Sequence, residues 1–295
     1  MTGPRVAFCG LGTMGAAMAA NIRRRGFAVT VWNRSAGRAA DLVGAGATEA
    51  PTAAGAAATA DVIVVCVSDT ADVEAVLFGA AGVASGARPG ALVIDCSTIS
   101  PSATRAFAER LRAGRVAFVD APVSGGSEGA RNATLTIFCG GDAADVERAR
   151  PILAAMGRTI THVGPHGAGQ AVKAVNQVIL AGAYLGVAEG LVLALKAGLD
   201  VEQVVGALSG GAAQSWVLEN RSGRMIANDY PLGFKVALHR KDLGIALEMA
   251  RELGAALPVS ALAAQLEQGL VARGHADDDM SALARAIRGL SGLPD

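Results

Sequence analysis

The segment from Arg5 to Ser35 constrains the fold more than any other part of the chain. Arg5–Cys9 predicts a short buried strand, and Gly10-Leu11-Gly12-Thr13-Met14-Gly15 follows at once. A helical stretch, Ala16–Arg25, and a second apolar run, Ala28–Trp32, complete a βαβ unit. A glycine pattern alone is weak evidence, but a strand before it and a helix after it make it a dinucleotide-binding fingerprint. Gly10 allows the tight turn off the strand. Gly12 has no Cβ, so a pyrophosphate can approach the backbone. Gly15 lets the helix pack close to the sheet. The phosphates then meet the unpaired N–H groups at the helix start, where the dipole favours negative charge. The alternative is a Rossmann-like domain without a ligand.

The end of the second strand bears on which dinucleotide. Asp or Glu there holds a ribose 2′-hydroxyl, whereas Arg suits a 2′-phosphate. Here the residues are Asn33-Arg34-Ser35, with no acid before Asp41. A guanidinium and a hydroxyl at that point favour NADP(H), with NAD(H) as the alternative. The plainer reading of Arg34 is a surface arginine in an arginine-rich chain.

At 295 residues the chain has room for two domains. Its net charge is zero, and no basic stripe marks a nucleic-acid partner. Arg23-Arg24-Arg25 ends a predicted helix, where cations suit the dipole. The most apolar helical stretch, Val175–Leu195, contains Asn176, Gln177 and Glu189, which argues against a membrane span. The N-terminus enters a strand almost immediately, so no signal peptide is expected. Cys9, Cys66, Cys96 and Cys139 each lie in or beside an apolar run, and none forms a CxxC pair. Buried free thiols in a reducing cytoplasm are the expectation. His162, His166, His239 and His275 lack ligand spacing, so no metal is expected and they are taken as structural or surface residues.

Strand candidates at Val62–Val67, Ala91–Asp95, Val116–Asp120 and Thr134–Cys139 alternate with helix candidates such as Ala53–Ala60 and Ser102–Leu111. This alternation predicts an α/β fold with a doubly wound, mostly parallel sheet. After Gly164-Pro165-His166-Gly167 only helical patterns remain: Gln170–Ala197, Val201–Leu208, Lys241–Leu253, Pro258–Arg273 and Ser281–Leu290. The expected domains are therefore 1–164, a Rossmann cofactor domain, and 165–295, an all-helical substrate and dimerisation domain entered through a long interdomain helix. Small-residue spacings within Leu180–Glu189 suit close helix packing or a subunit contact.

Lysine is scarce. Of 26 basic residues only Lys173, Lys196, Lys235 and Lys241 are lysines. A lysine amine can give up its proton when partly buried, whereas arginine cannot, so lysine suits proton transfer. Lys173 lies one turn into the long helix, with Asn176 and Gln177 three and four residues on and so on the same side. The alternative is a polar first turn facing solvent. A second cluster, Asp120-Ala121-Pro122-Val123-Ser124-Gly125-Gly126-Ser127, follows a strand and offers a hydroxyl and open backbone N–H groups. It fits a carboxylate-binding nest or an ordinary Ser/Gly turn. Third, Lys241-Asp242-Leu243 begins a predicted helix, where Asp242 suits the dipole and Lys241 does not. That invites a functional role for Lys241, or a salt bridge.

With these residues in hand, the chain resembles the β-hydroxyacid dehydrogenases. That family includes 3-hydroxyisobutyrate dehydrogenases, tartronate semialdehyde (2-hydroxy-3-oxopropionate) reductases and glyoxylate/succinic semialdehyde reductases. The resemblance runs nearly end to end, through Gly10–Asn21, Asp120–Thr136, Gly167–Gln177 and Lys241-Asp242-Leu243. It implies Lys173 as catalytic acid/base, with Asn176 and Gln177 beside it. It implies Ser124, Gly125 and Gly126 on the substrate carboxylate and Phe234 as a pocket wall. It further implies Thr98 near the nicotinamide, Val67 and Ser68 along the cofactor, and Lys241 closing over it. Two departures stand out. Gln177 replaces a more usual asparagine, as in tartronate semialdehyde reductases, which Leu238-His239 and Gly254-Ala255-Ala256-Leu257-Pro258 also resemble. Ala133 stands where glycine is common.

The resemblance implies reversible hydride transfer between NADP(H) and a small β-hydroxy acid or semialdehyde; the free thiols point to the cytoplasm, and the apolar small-residue face of the Gln170–Ala197 helix predicts a homodimer or homotetramer. Three other readings compete. Imine reductases share the architecture but usually replace the lysine. A 6-phosphogluconate dehydrogenase-like enzyme would carry a longer helical domain and a phosphate-binding cluster. A non-catalytic NADP-binding protein would not need Lys173, Ser124 and Lys241 together.

Overall fold

A computed structural model describes residues 3–294; Met1, Thr2 and Asp295, which the expected domain ranges include, lie outside the described residues. The chain forms two compact units, one within 1–173 and the other within 174–295.

The first unit opens with β1 (Val6–Cys9), α1 (Thr13–Arg24), β2 (Val29–Trp32), α2 (Ala40–Gly44), β3 (Thr48–Glu49) and α3 (Ala53–Ala58). It continues with β4 (Val62–Val65), α4 (Thr70–Phe78), α5 (Val83–Gly86), β5 (Leu92–Asp95), α6 (Pro101–Ala113) and β6 (Ala117–Asp120). Then come β7 (Val123–Ser124), α7 (Gly126–Asn132), β8 (Leu135–Gly140), α8 (Ala143–Leu153) and β9 (Gly157–Gly164). A long helix, α9 (Ala168–Lys196), starts in this unit and runs on into the second.

The sheet order is β3-β2-β1-β4-β5-β6-β8-β7, with β9 on β8. From β3 to β6 every pairing is parallel, which is the doubly wound pattern expected from the alternation. The far edge departs from it, because β8 runs antiparallel to β6 and β7 and parallel to β9. The order reverses between β1 and β4, so a crevice opens beyond their C-terminal ends.

The apolar runs bury both faces, as parallel strands between helices require. Along β1, Val6 and Phe8 face one core with Met18 and Ile22 of α1, while Ala7 and Cys9 face the other. That second core takes Val73 and Leu77 of α4 and Phe107 and Leu111 of α6. Cys9, Cys96 and Cys139 are buried free thiols and Cys66 is half-buried. Burial pushes the Cys9 and Cys139 thiols up to about 12.

The second unit is helical. After α9 come α10 (Val201–Leu208), α11 (Trp216–Ala227), α12 (Val236–Leu253), α13 (Pro258–Ala272) and α14 (Leu283–Leu290). Its core gathers Tyr184, Ala188 and Leu191 of α9 with Val217, Met225, Leu270 and Leu283. By length and composition α9 could cross a membrane, yet it carries this core and the buried polar side chains of Gln170, Lys173 and Gln177. The helix α11 has no counterpart among the sequence expectations.

Where β1 and β4 begin, Asp61 accepts from the Arg5 backbone N–H at 2.9 Å and from its guanidinium at 3.2 and 2.9 Å. These Arg5 donors, with Arg88 nearby, hold the Asp61 carboxyl down at about 2. A depressed carboxyl contributes stability above its unfolded value and loses it as pH falls through the folded value. The pair is half exposed, so the contribution is below about 1 kcal/mol. The expected outcome is that Asp61→Asn narrows its stability deficit against wild type as pH drops from 4 toward 2 in thermal melts. Parallel curves for the two proteins over that window would contradict the linkage.

Candidate active site

The glycine loop divides its work among three positions. Gly10 has φ +103, and a Cβ there would lie 2.2 Å from the Cys66 carbonyl oxygen, at the tip of β4. A Cβ on Gly15 would lie 2.0 Å from the Gly10 carbonyl oxygen and 3.1 Å from Phe8. Gly12 differs, since beyond its own chain neighbours no atom lies within 4 Å of a Cβ built on it. The first turn of α1 has no side-chain cap and no acid. Open space and uncapped N–H groups fit the pyrophosphate of a dinucleotide. Leu11 buries its side chain, Met14 packs on the core, and Thr13 is exposed.

At the end of β2, Asn33 Oδ1 accepts from the Leu11 backbone N–H at 2.8 Å, which ties the loop to this strand. The Asn33 amide donates to the Ser35 carbonyl at 2.9 Å. Arg34 is 76% exposed and pairs with Asp72 at 2.5 Å. A 2′-phosphate there would compete with the Asp72 carboxylate for the guanidinium.

The loops after β4, β5 and β6 are tied to the start of α9. Asp95 accepts from the Ser97 backbone N–H at 2.9 Å, and Ser97 Oγ accepts from the Val67 backbone N–H at 3.0 Å. Buried Gln170 donates to the Ser97 carbonyl at 2.8 Å and accepts from the Ile99 backbone N–H at 3.1 Å, so it brackets Thr98. Ser68 is exposed beyond Val67. Asp120 is fully buried, and its two oxygens accept from the Gly167 and Gln170 backbone N–H groups at 2.9 and 3.0 Å. Burial raises the Asp120 carboxyl above its usual value, and the two amides pull against that rise. The packing leaves no slack, because a Cβ on Gly169 would lie 2.8 Å from Asp120 Oδ2 and 2.4 Å from the Phe138 carbonyl oxygen.

Lys173 stands three residues after Gln170 and is 6% exposed, so the solvent-facing alternative for this turn does not hold. Gln170, Lys173 and Gln177, all buried, recur at the spacing of one helix face. Ser124 closes β7 and pairs in register with Thr136. Gly125 (φ +127) and Gly126 (φ +62) then turn the chain into α7, conformations that side-chain-bearing residues rarely adopt.

In the second unit, Asn176 donates to Gln177 Oε1 at 2.8 Å, and Gln177 donates to Asp242 Oδ2 at 2.7 Å. Lys241 Nζ lies 2.9 Å from Asp242 Oδ1. The expected start of this helix at Lys241 is corrected: α12 begins at Val236. Lys241 therefore sits in the second turn, beyond the strongest reach of the dipole, and the unfavourable-terminus reason for a functional role falls away. The salt bridge to Asp242 is present. Phe234 precedes α12, and its backbone N–H donates to buried Asp279 at 2.9 Å. Among the described residues no group of three or more His, Cys, Asp or Glu is placed to hold a metal.

Several residues escaped the sequence reading. Gln170 carried a signal, since it precedes Lys173 by three on the same face. Asp120 stood in view as the acid after a buried strand, but its partners lie 47 and 50 residues away. Ser97, Asp279 and the buried pair His239–Glu267, 2.5 Å apart, have no local signature.

Comparison with known proteins sets this geometry in context. Residues 5–164 match the family model for the NAD binding domain of 6-phosphogluconate dehydrogenase. Residues 167–287 match that for the NAD-binding domain of NADP-dependent 3-hydroxyisobutyrate dehydrogenase. The 2-hydroxy-3-oxopropionate reductase of Escherichia coli K12 is 42% identical over 284 residues, 96% of this chain and 97% of the relative. The NAD-dependent L-serine dehydrogenase of Pseudomonas aeruginosa is 37% identical, across 95% of this chain and 97% of its own. The structure of Mycobacterium tuberculosis 3-hydroxyisobutyrate dehydrogenase with L-serine superposes with a TM-score of 0.89 at 34% identity, covering 97% of this chain and 100% of that one.

The glycine geometry separates fold from ligand. Gly12→Ala is expected to melt like wild type yet bind NADPH at least about tenfold more weakly in fluorescence titration. Gly10→Ala is expected to lose about 2 kcal/mol of stability or more. Tight NADPH binding by a folded Gly12→Ala protein would show that the open space at Gly12 is not where phosphate approaches.

Proposed function

Because the chain belongs to the β-hydroxyacid dehydrogenase family of NAD(P)-dependent oxidoreductases, we propose that it interconverts a small β-hydroxy acid and its semialdehyde with NADP(H). The substrate is of the 3-hydroxyisobutyrate, tartronate semialdehyde or succinic semialdehyde/glyoxylate type. Asn176-Gln177 and the similarity to the E. coli reductase favour tartronate semialdehyde among these.

One observation carries the reading: a lysine, in a chain where only four of 26 basic residues are lysine, is buried one turn into a helix whose start is locked by Asp120 and Gln170. The nicotinamide, when bound, supplies or takes the hydride. In reduction the Lys173 ammonium donates its proton to the carbonyl oxygen as alkoxide character develops. In oxidation the neutral amine takes the hydroxyl proton. Asn176 and Gln177 orient the oxygen that Lys173 serves. Ser124 and the backbone of Gly125 and Gly126 hold the carboxylate, and Phe234 walls the substrate. Fixing the reactive carbon in this way contributes several kcal/mol to lowering the barrier.

Gly10 to Gly15 cradle the pyrophosphate, while Val67, Ser68 and Thr98 line the cofactor toward its nicotinamide end and Lys241 closes over it. Arg34, with Asn33 and Ser35, selects the 2′-phosphate. NADP(H) is thus preferred and NAD(H) is accepted less well. The functional domains divide at 164/165. The protein works in the cytoplasm as a homodimer or homotetramer, without nucleic acid or membrane, and the exposed Val175, Ile179 and Leu193 on α9 support the subunit contact.

Two substitutions test the reading. Lys173→Ala should lose about a hundredfold or more in turnover on a semialdehyde acid while NADPH affinity stays within about threefold. Turnover within about tenfold of wild type would remove the proton-transfer role. Arg34→Ala should lower kcat/KM with NADPH about tenfold and leave NADH nearly unchanged. Equal losses with both cofactors would show that Arg34 does not select the phosphate.

A further inference from the structure

Among the ionisable side chains buried in the second unit, His239 and Glu267 face each other and are not used by the proposed chemistry. His239 on α12 and Glu267 on α13 are both 0% exposed. His239 Nδ1 lies 2.5 Å from Glu267 Oε1, and its Nε2 lies 3.3 Å from the Gln177 carbonyl oxygen on α9. A carbonyl only accepts, so Nε2 must carry a hydrogen to bond it. A ring nitrogen and a carboxylate oxygen 2.5 Å apart require a hydrogen between them as well. The pair therefore exists as imidazolium facing carboxylate or as neutral imidazole facing carboxylic acid. Both forms have zero net charge, which limits the cost of burying them. Losing the shared proton would leave a buried negative charge and break one of the two bonds.

The neighbours of His239 show what such a pair can control. Its ring meets Phe234 edge-on, with centroids 6.4 Å apart and planes 76° apart. Asp242, three residues along the same helix face, accepts from the Gln177 side chain. Gln177 is thus held by α12 at both its backbone carbonyl and its amide, and Asn176 hangs on the Gln177 amide oxygen. One imidazole therefore packs against Phe234 and bonds the backbone of Gln177, whose side chain accepts from Asn176.

We propose that Glu267 and His239 form a buried positioning pair, which fixes Gln177 and Phe234 so that the Asn176 and Gln177 amides meet the substrate in one orientation. Glu267 acts by keeping Nδ1 engaged, so that the Nε2 hydrogen points at the Gln177 carbonyl. The inference rests on Asn176, Gln177 and Phe234 being substrate residues.

The test compares two replacements of Glu267 in the full-length protein. Glu267→Gln keeps a hydrogen between the two groups, because its amide N–H donates to Nδ1 while Nε2 stays protonated. Glu267→Leu removes that link. The Gln variant should keep the KM for semialdehyde acid within about threefold of wild type, and the Leu variant should raise it about tenfold or more with NADPH affinity unchanged. A purely structural pair would lower the melting temperature of both without separating them in KM. Equal KM values for the two variants, or an unchanged KM in folded Glu267→Leu, would overturn the proposal.

A second readout does not depend on the Leu variant folding. In ¹⁵N spectra of the wild-type histidine rings at neutral pH, the resonances lost in His239→Gln should report a protonated Nε2. An unprotonated Nε2 overturns the proposal whatever the kinetics show. A wild-type protein with that Nε2 hydrogen but no turnover on any β-hydroxy acid or semialdehyde would instead defeat the functional reading, and the role assigned to the pair would fall with it.

Discussion

A single buried carboxylate holds the helix that carries Lys173. Asp120 leaves the end of β6 and takes the Gly167 and Gln170 backbone N–H groups on its two oxygens. Those donors belong to the start of α9, where unpaired amides and the positive end of the dipole favour an anion. Burial alone would drive the acid toward its protonated form, and the two amides oppose that. Hydrogen bonds to a charged group contribute about 1.5–3 kcal/mol each. The start of α9 is thus anchored on the end of a central strand, and Lys173 inherits its position from that anchor. Small residues at Gly140 and Gly169 are the steric condition for it, since a Cβ on either would press on the carboxylate.

Gln170 extends the same anchor sideways. Through the Ser97 carbonyl and the Ile99 amide it reaches the loop after β5, and Ser97 reaches the loop after β4. Gly10 in turn lies against Cys66 at the tip of β4. Backbone groups from successive strand ends are joined without a gap, from the glycine loop to the helix start. A crevice built this way can hold a dinucleotide and keeps the start of α9 in fixed relation to the loops lining it, because each loop is hydrogen-bonded to its neighbour.

In the second unit buried polar groups join helices and loops rather than strand ends. Asp279 accepts from the Phe234 backbone N–H on Oδ2 and from the Ser281 N–H and hydroxyl on Oδ1, and Arg224 lies 3.3 Å from Oδ2. Asp242 and His239 fix Gln177 from one helix. Ionisable side chains are costly in a helical core unless each has a partner, so the clusters that persist are those whose geometry is closely specified. They occur beside Phe234 and Gln177, where placement of a side chain within a fraction of an ångström decides what it can touch.

The sequence by itself determined the doubly wound half. Gly10, Gly12 and Gly15 act within a few residues of their neighbours, and the strand runs bury side chains at a period set by the backbone alone. It also singled out Lys173, because composition made lysine rare and helix spacing put Asn176 and Gln177 beside it. Only the tertiary structure decided how those residues are held. The partners of Asp120 and Gln170 lie 47 to 73 residues away, and the partners on other elements that hold Asp279, His239 and Gln177 lie 28 to 65 residues away. The start of α12 at Val236 was likewise hidden, because the Val236 and Ala237 backbone N–H groups donate to the carbonyl oxygens of Asp278 and Ala276 and not to a local side-chain cap. Local periodicity reports which face of an element is apolar; which buried acid meets which amide is settled only when distant segments pack.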